Sequence, residues 1–287
     1  MKITAQTKVV ALFGYPVTHT LSPLFQNAAF RAAGVDAVYL VFEIPPLLLK
    51  DAIKAVKDLN FLGANLTIPH KETALLFLDE VSETASRIGS VNTLVNHSGI
   101  LKGETTDGPG FLLSLKEKGI NPKLKKVLLV GAGGAARAVA FALVKAGASV
   151  TITNRTAERG EKLVSDLKRY YPQTEAEFVP FSEKTTFLKR KDYDILINAT
   201  SVGLKKGETL FRSSDLPEKI VVCDLIYHRK TELLAAAEKR GLTTISGLGM
   251  LVYQGALSFR LWTGKPAPLK IMFSALKNQL RSKAYLL

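Results

Sequence analysis

Val127-Leu-Leu-Val-Gly-Ala-Gly-Gly-Ala-Ala-Arg137 is the stretch whose reading decides the fold. An apolar run rich in β-branched and aliphatic residues stops abruptly at glycines and passes into a helical pattern. A chain that does this presents backbone N–H groups and the positive end of a helix, which together attract a phosphate. Gly131 permits the tight turn, Gly133 lets a pyrophosphate approach the backbone, and Ala136 keeps the helix close to its strand. The spacing of Val139, Leu143 and Ala146 predicts a helix over Gly134 to Ala146, stopped by Gly147. The pattern is that of a dinucleotide-binding βαβ unit, with Gly131, Ala132, Gly133, Gly134 and Ala135 as the phosphate loop.

The next strand says which dinucleotide. Ser149 to Thr153 alternates as a strand should, and Asn154-Arg155-Thr156 stands at its carboxyl end. An NAD site places an acidic residue here, roughly 20 residues after the glycines, to accept from the ribose hydroxyl. This chain has Arg155 instead, with Arg159 one turn further on. Guanidinium forks suit a phosphate dianion, so the 2′-phosphate of NADP is the better fit. The plain alternative, a solvated basic loop, loses ground once the glycines precede it.

Working outward, the chain of 287 residues is long enough for two domains. Its 47% hydrophobic and 22% charged residues describe an ordinary globular protein with a sizeable core. The net charge of +14 raises the question of nucleic acid. The basic residues are scattered and often beside acids, as in Glu158-Arg159-Gly160-Glu161-Lys162, and the densest run, Lys184 to Lys191, has Phe187 as its one aromatic. Without a stacking ladder, a basic surface that draws anionic substrate and cofactor explains the balance better. The single cysteine, Cys223, sits in an apolar run and reads as a small core residue. His19, His70, His97 and His228 show no metal-ligand spacing, so no metal is expected. No apolar stretch approaches the ~20 residues of a membrane span and no signal-peptide pattern is seen, so the cytoplasm is the expected location.

Strand and helix patterns alternate throughout. Strands are read at residues 8 to 14, Val38 to Ile44, Gly63 to Ile68, Asn92 to Val95 and Leu101 to Gly103. After the glycine loop they recur at Val150 to Thr153, Ala176 to Val179, Ile195 to Asn198 and Val221 to Leu225. Helices are read from Pro23 with Ser22 as N-cap, over Leu47 to Leu59, Lys71 to Leu78, Glu83 to Ile88 and Gly108 to Lys118. This is an α/β protein: an N-terminal α/β domain over residues 1–107 and a Rossmann-type doubly wound parallel sheet over 108–246. Helices over 247–287 return to the first domain.

Polar clusters fall at strand ends, where open α/β sheets bind ligands. They are Thr20-Leu21-Ser22-Pro23, Asn65 to Lys71, Asn92-Thr93, Thr106 to Gly110, Asn198 to Gly203, Asp224 to Tyr227 and Gly247 to Gln254. In this order, with the glycine loop and Asn154-Arg155-Thr156 among them, they resemble the shikimate dehydrogenase family from end to end. That resemblance implies a substrate domain and a Rossmann domain facing each other across a cleft, and NADPH-dependent reduction of 3-dehydroshikimate to shikimate on the route to chorismate and the aromatic amino acids. It implies a small-molecule enzyme, monomer or homodimer, without nucleic acid or membrane as partner.

Carried over to this sequence, the resemblance makes Lys71 and Asp107 the catalytic pair. Thr20 and Ser22 would hold the substrate carboxylate, and Thr67, Asn92, Asp107, Tyr227 and Gln254 would meet ring hydroxyls. Gly131 to Ala135, Asn154, Arg155, Thr156 and Arg159 would hold NADP, with Leu225 and Gly247 near the nicotinamide and Glu83 a further cofactor-side candidate. The residue types suit the chemistry, since a ketone receiving hydride needs a proton and a nearby positive charge. A lysine at a helix start is locally unfavourable, which argues for a functional reason. The family usually has Ser where Thr20 stands, Asn where Thr105 stands, and a proline shortly after the tyrosine, where this chain has His228-Arg229-Lys230. Two other readings stand beside this one. A quinate/shikimate dehydrogenase with broader cofactor use is disfavoured by Arg155 and Arg159; a nucleotide sensor without catalysis is disfavoured by Lys71 and Asp107.

Overall fold

The structure is a computed structural model that describes residues 3–190 and 192–282. The chain forms two compact units. The first takes the chain up to Gly110 and again from Val252; the second is Phe111–Leu251.

In the first unit β1 (Lys8–Gly14), α1 (Ser22–Ala32), β2 (Ala37–Glu43), α2 (Leu49–Asp58) and β3 (Gly63–Leu66) alternate, as the periodicity requires. There follow α3 (His70–Thr73), β4 (Glu80–Val81), α4 (Glu83–Ile88), β5 (Thr93–His97), β6 (Ile100–Glu104) and the start of α5 (Asp107–Glu117). The sheet runs β2-β1-β3-β5-β6-β4. Its first three strands are parallel, whereas β5 is antiparallel to both β3 and β6. The reason is local: β5 and β6 are joined through Ser98 and Gly99, at φ 52° and 93°. Left-handed residues in so short a connection make a hairpin, and a parallel pairing would need a crossover. One face of the sheet packs Phe13, Leu66, Leu94 and Leu101 on Leu49, Ile53 and Val56 of α2.

Two local expectations change. Ser22 is the first helical residue, not the cap: Leu21 precedes α1 in αR geometry with no side-chain cap. The helix read over Lys71 to Leu78 breaks after Thr73 into a 3-10 turn, Ala74–Phe77. The two-residue strand β4 carried no periodic signal.

The second unit holds β7 (Lys126–Val130), α6 (Gly134–Lys145), β8 (Ser149–Asn154), α7 (Ala157–Tyr170), β9 (Ala176–Pro180) and α8 (Lys184–Arg190). Next come β10 (Ile195–Asn198), β11 (Val221–Asp224), α9 (Glu232–Lys239) and β12 (Thr244–Ser246). All six strands are parallel, in the order β12-β11-β10-β7-β8-β9. The order reverses between β7 and β10, and ligands of open α/β sheets bind at the carboxyl ends beside such a switch point. The glycines of the opening stretch stand there. Short crossovers and burial on both faces explain why these strands read as apolar runs.

From Gly247 the chain continues as α10 (Gly247–Thr263) and α11 (Leu269–Ser282). From Val252, α10 belongs to the first unit, and α11 packs on α1. Trp262 of α10 donates its indole N–H to the Leu94 carbonyl at 2.9 Å. A Cβ on Gly63 would stand 2.1 Å from that carbonyl oxygen, so glycine is what lets the helix lie on the sheet. Among the described residues no helix is long and apolar enough to cross a membrane.

Candidate active site

Lys71 lies in the short α3, which the strand end Asn65-Leu66-Thr67 feeds directly. Its backbone is held from both sides, since the Lys71 carbonyl accepts from Val91 N at 2.9 Å and Thr67 N donates to the Phe13 carbonyl at 2.9 Å. The ammonium Nζ sits 2.5 Å from Oδ2 of Asp107, with side-chain exposures of 14% and 6%. Desolvating two charges is costly unless the remaining lone pairs are satisfied. Here Asn92 Nδ2 donates to the other carboxylate oxygen at 3.0 Å.

Asn92 organises what surrounds the pair. Its Oδ1 accepts from Thr106 N at 2.7 Å, and its Nδ2 lies within 2.8 Å of Thr106 Oγ1 and 3.1 Å of Gln254 Oε1. A carboxamide has two N–H bonds. With Asp107, Thr106 and Gln254 all in reach of one nitrogen, the cluster has more acceptors than this donor can serve. Gln254 arrives on α10 because α5 lets it approach: a Cβ on Gly110 would lie 2.7 Å from Gln254 N.

Behind Asn92 lies a layer of buried hydroxyls and amides. Asn65 Nδ2 donates to the Asn92 carbonyl at 2.9 Å and to Ser258 Oγ at 3.2 Å, and Tyr39 donates to Asn65 Oδ1 at 2.8 Å. Thr93 and Ser258 hydroxyls meet at 2.7 Å. The sequence reading named neither Ser258 nor Tyr39. Ser258 stands four residues after Gln254, on the same helix face, and that spacing was the available signal.

Thr20 and Ser22 are adjacent in space: Ser22 N donates to Thr20 Oγ1 at 3.3 Å. Thr20 lines a hollow of ≈ 400 Å³ with Val17, Thr18, Pro23, Val41 and Glu43. Thr67 is half-buried and crosses the end of β1, where a Cβ on Gly14 would meet its methyl group at 2.3 Å. Glu83 is exposed in the first turn of α4 and ion-paired with Arg87 one turn on.

In the second unit the carboxyl ends of β7, β8, β10 and β11 form one edge. Gly131 has φ +119°, and a Cβ there would meet the Ala199 carbonyl oxygen at 2.8 Å. Gly133 precedes α6 in extended geometry, and a Cβ there would meet nothing within 4 Å. The turn is thus a cradle of backbone with open space over a helix N-terminus, a shape that admits a pyrophosphate. Arg155, Thr156 and Arg159 are exposed, and Asn154 Nδ2 fixes their turn by donating to the Thr156 carbonyl at 2.8 Å.

Asp224, at the end of β11, is buried and ties the neighbouring loops. It accepts from Asn198 Nδ2 at 3.1 Å, Ile226 N at 3.0 Å and Thr231 Oγ1 at 2.7 Å. Burial pushes its carboxyl pKa up, against the pull of those donors. The neighbouring Cys223 thiol is pushed up by burial too, as expected of a core residue. Gly247 is fixed by close approach, since a Cβ would stand 2.1 Å from the Leu225 carbonyl oxygen. Tyr227 is half-buried, edge-on to His228 with ring centroids 6.0 Å apart.

Known proteins carry the same plan. Family models described as the shikimate dehydrogenase substrate binding domain, shikimate / quinate 5-dehydrogenase, and the shikimate 5′-dehydrogenase C-terminal domain match residues 12–94, 114–223 and 247–277. A shikimate dehydrogenase (NADP(+)) of Methanopyrus kandleri is 42% identical over 98% of this chain and 99% of its own. The chain belongs to the shikimate dehydrogenase family. A crystal structure of a shikimate dehydrogenase in complex with NADP+ matches with a TM-score of 0.90 and 40% identity, covering 97% of each chain. Another, from Thermus thermophilus in complex with NADP(H) and shikimate, matches with a TM-score of 0.84 and 39% identity over 94% of this chain and 99% of that one.

Proposed function

We propose that this chain catalyses the reversible, NADPH-dependent reduction of 3-dehydroshikimate to shikimate, in the biosynthesis of chorismate and the aromatic amino acids. The observation that carries the reading is the buried Lys71–Asp107 pair, 2.5 Å apart, in a chain of this family. NADPH, when bound, supplies the hydride that the ketone carbon accepts. The Lys71 ammonium then stabilises the oxygen that gains negative charge and gives it a proton. Asp107 keeps that ammonium aimed, and its oxygen facing Asn92 is placed to accept from a substrate hydroxyl. Asn92 and Gln254 share one hydrogen bond and can exchange it for bonds to the ring hydroxyls, and Thr67 adds a further partner, while Tyr227 of the second unit offers a phenol hydroxyl. Thr20 and Ser22 offer hydroxyls to the carboxylate.

The residues present fit NADP. Gly131 to Ala135 would hold the pyrophosphate, Arg155 and Arg159 would offer guanidinium groups to the 2′-phosphate, and Leu225 and Gly247 would lie on the nicotinamide side. Glu83 lies on the substrate unit, and we assign it no more than an outer role toward the cofactor. The deciding experiment is a reduced-nicotinamide absorbance assay comparing shikimate with quinate and NADP with NAD. Turnover of shikimate with NADP is the expected result; turnover confined to quinate, or preference for NAD, would overturn the proposal.

A further inference from the structure

The segment after β10 runs from Ala199 to Arg212 without helix or strand. Its root is wedged against the glycine turn, with the Ala199 carbonyl 2.8 Å from where a Gly131 Cβ would stand. Asn198 folds that root by accepting from Thr200 N at 3.0 Å and donating to the Val202 carbonyl at 2.9 Å. Beyond Val202 the backbone turns twice through glycines with positive φ, Gly203 at 105° and Gly207 at 86°.

Peptide groups without a ladder need other partners, and here charged side chains provide them. Arg229 Nη1 donates to the Gly203 carbonyl at 2.7 Å and the Lys205 carbonyl at 3.2 Å. The same guanidinium holds Glu232 in a fork, at 3.0 and 2.8 Å, and Glu232 Oε1 accepts from Gly207 N at 2.7 Å. Glu208 closes the loop on itself by accepting from Gly203 N at 3.2 Å. Hydrogen bonding to Arg229 holds the Glu232 carboxyl down at about 2, so the fork stays ionised at any assay pH. Arg229 lies two residues after Tyr227, within the three residues that replace the expected proline.

We propose that Arg229, forked to Glu232, is a positioning residue that orders the Gly203–Gly207 loop in advance of cofactor binding. The inference rests on reading this unit as the NADP-binding one. A loop held by a few charged contacts belongs to the low-stability end of a structure, where order can be lost without global unfolding. A loop already ordered costs the ligand less on binding.

The test uses the full-length protein with Arg229→Met and Arg229→Lys, followed by hydrogen exchange without cofactor and by calorimetric titration of NADP. Arg229→Met should speed amide exchange over 203–207 by about tenfold or more. It should weaken NADP binding by about fivefold, with KM for shikimate within about twofold of wild type. Arg229→Lys, which keeps the charge and loses the fork, should fall between. A purely structural role would lower Tm and leave loop exchange and NADP affinity alone, and that outcome overturns the proposal. So does faster loop exchange with unchanged NADP affinity. A wild-type protein that bound no NADP would overturn the cofactor reading as well, an outcome distinct from wild type and Arg229→Met binding NADP equally.

Discussion

Around Lys71 the fixed groups are side chains; around Gly131 they are backbone. In the first unit Asp107, Asn92, Thr93, Asn65 and Ser258 are buried and pair with one another, so the polar atoms are aimed before any substrate arrives. In the second unit the glycine turn offers peptide N–H groups and space, and the cations beyond it, Arg155 and Arg159, stand exposed in solvent. The difference matches what each would bind under the proposed function. A proton donor works through a charge whose position and hydration are set in advance. A phosphate brings its own charge and needs a cradle of donors, which backbone provides without burying any cation. Damage to the first region should therefore appear in the chemical step, and damage to the second in affinity.

The largest expected effect tests that division. Lys71→Met keeps the chain length and removes proton and charge together, and kcat should fall by about 10²–10⁴-fold or more. Shikimate affinity should stay within about fivefold, because carboxylate and hydroxyls keep their other partners. Steady-state kinetics with calorimetric shikimate binding would check it. A raised KM at near wild-type kcat would make Lys71 a binding residue and break the comparison.

On the other side, Arg155→Met should shift cofactor preference while leaving turnover at saturation nearly unchanged. A charge-assisted bond to phosphate is worth ~1.5–3 kcal/mol, so NADP affinity should drop by roughly 10- to 100-fold, and NAD affinity far less. Equal losses for the two cofactors would show that Arg155 does not read the 2′-phosphate.

The same contrast explains what could be read in the sequence. The βαβ unit was legible because every requirement was local: an apolar strand, Gly131 where a Cβ has no room, Gly133 under open space, then a helix that stops before Gly147. β7, α6, β8 and β10 follow that reading to within a residue or two. Lys71, Asp107, Asn92 and Gln254 were nameable through a pattern spread over the chain, but no local rule joins them, because α3, the approach to β5, α5 and α10 meet only in the fold. Arg229 was visible as a departure and could not be given a task, since its partners at 203, 205 and 232 lie across a loop of irregular backbone. The antiparallel course of β5 was less legible, because the alternation of such short strands suits parallel and antiparallel neighbours equally well.

A smaller effect probes the substrate side away from the proton. Ser22 is buried and Thr20 partly so, with their two hydroxyl-bearing residues linked by the Ser22 N to Thr20 Oγ1 bond. Ser22→Ala should raise KM for shikimate by about tenfold, the equivalent of ~1.4 kcal/mol, with kcat and NADP affinity retained. Thr20→Ser should be mild, since it removes a methyl and keeps the hydroxyl. An unaltered KM in Ser22→Ala would place the carboxylate elsewhere in the unit.

The smallest expected effect concerns His70, the buried neighbour of Lys71. It is 1% exposed, and its Nε2 lies 2.8 Å from the Ile44 carbonyl oxygen, which accepts from the neutral ring. Burial lowers its pKa below the ordinary 6.5, outweighing the hydrogen bond. The unfolded chain therefore takes up a proton near pH 6.5 that the folded chain refuses. Above that pH neither state carries the proton, and His70 contributes no pH dependence. As pH falls through the unfolded value, stability is lost, with a slope of at most ~1.4 kcal/mol per pH unit, and it levels off below the folded value. Thermal melts between about pH 5 and 8 should show this slope in the wild type and a flatter profile in His70→Gln, whose amide can still donate to Ile44. Identical profiles would mean that His70 titrates alike folded and unfolded, and that the ground beneath Lys71 is wetter than its burial implies.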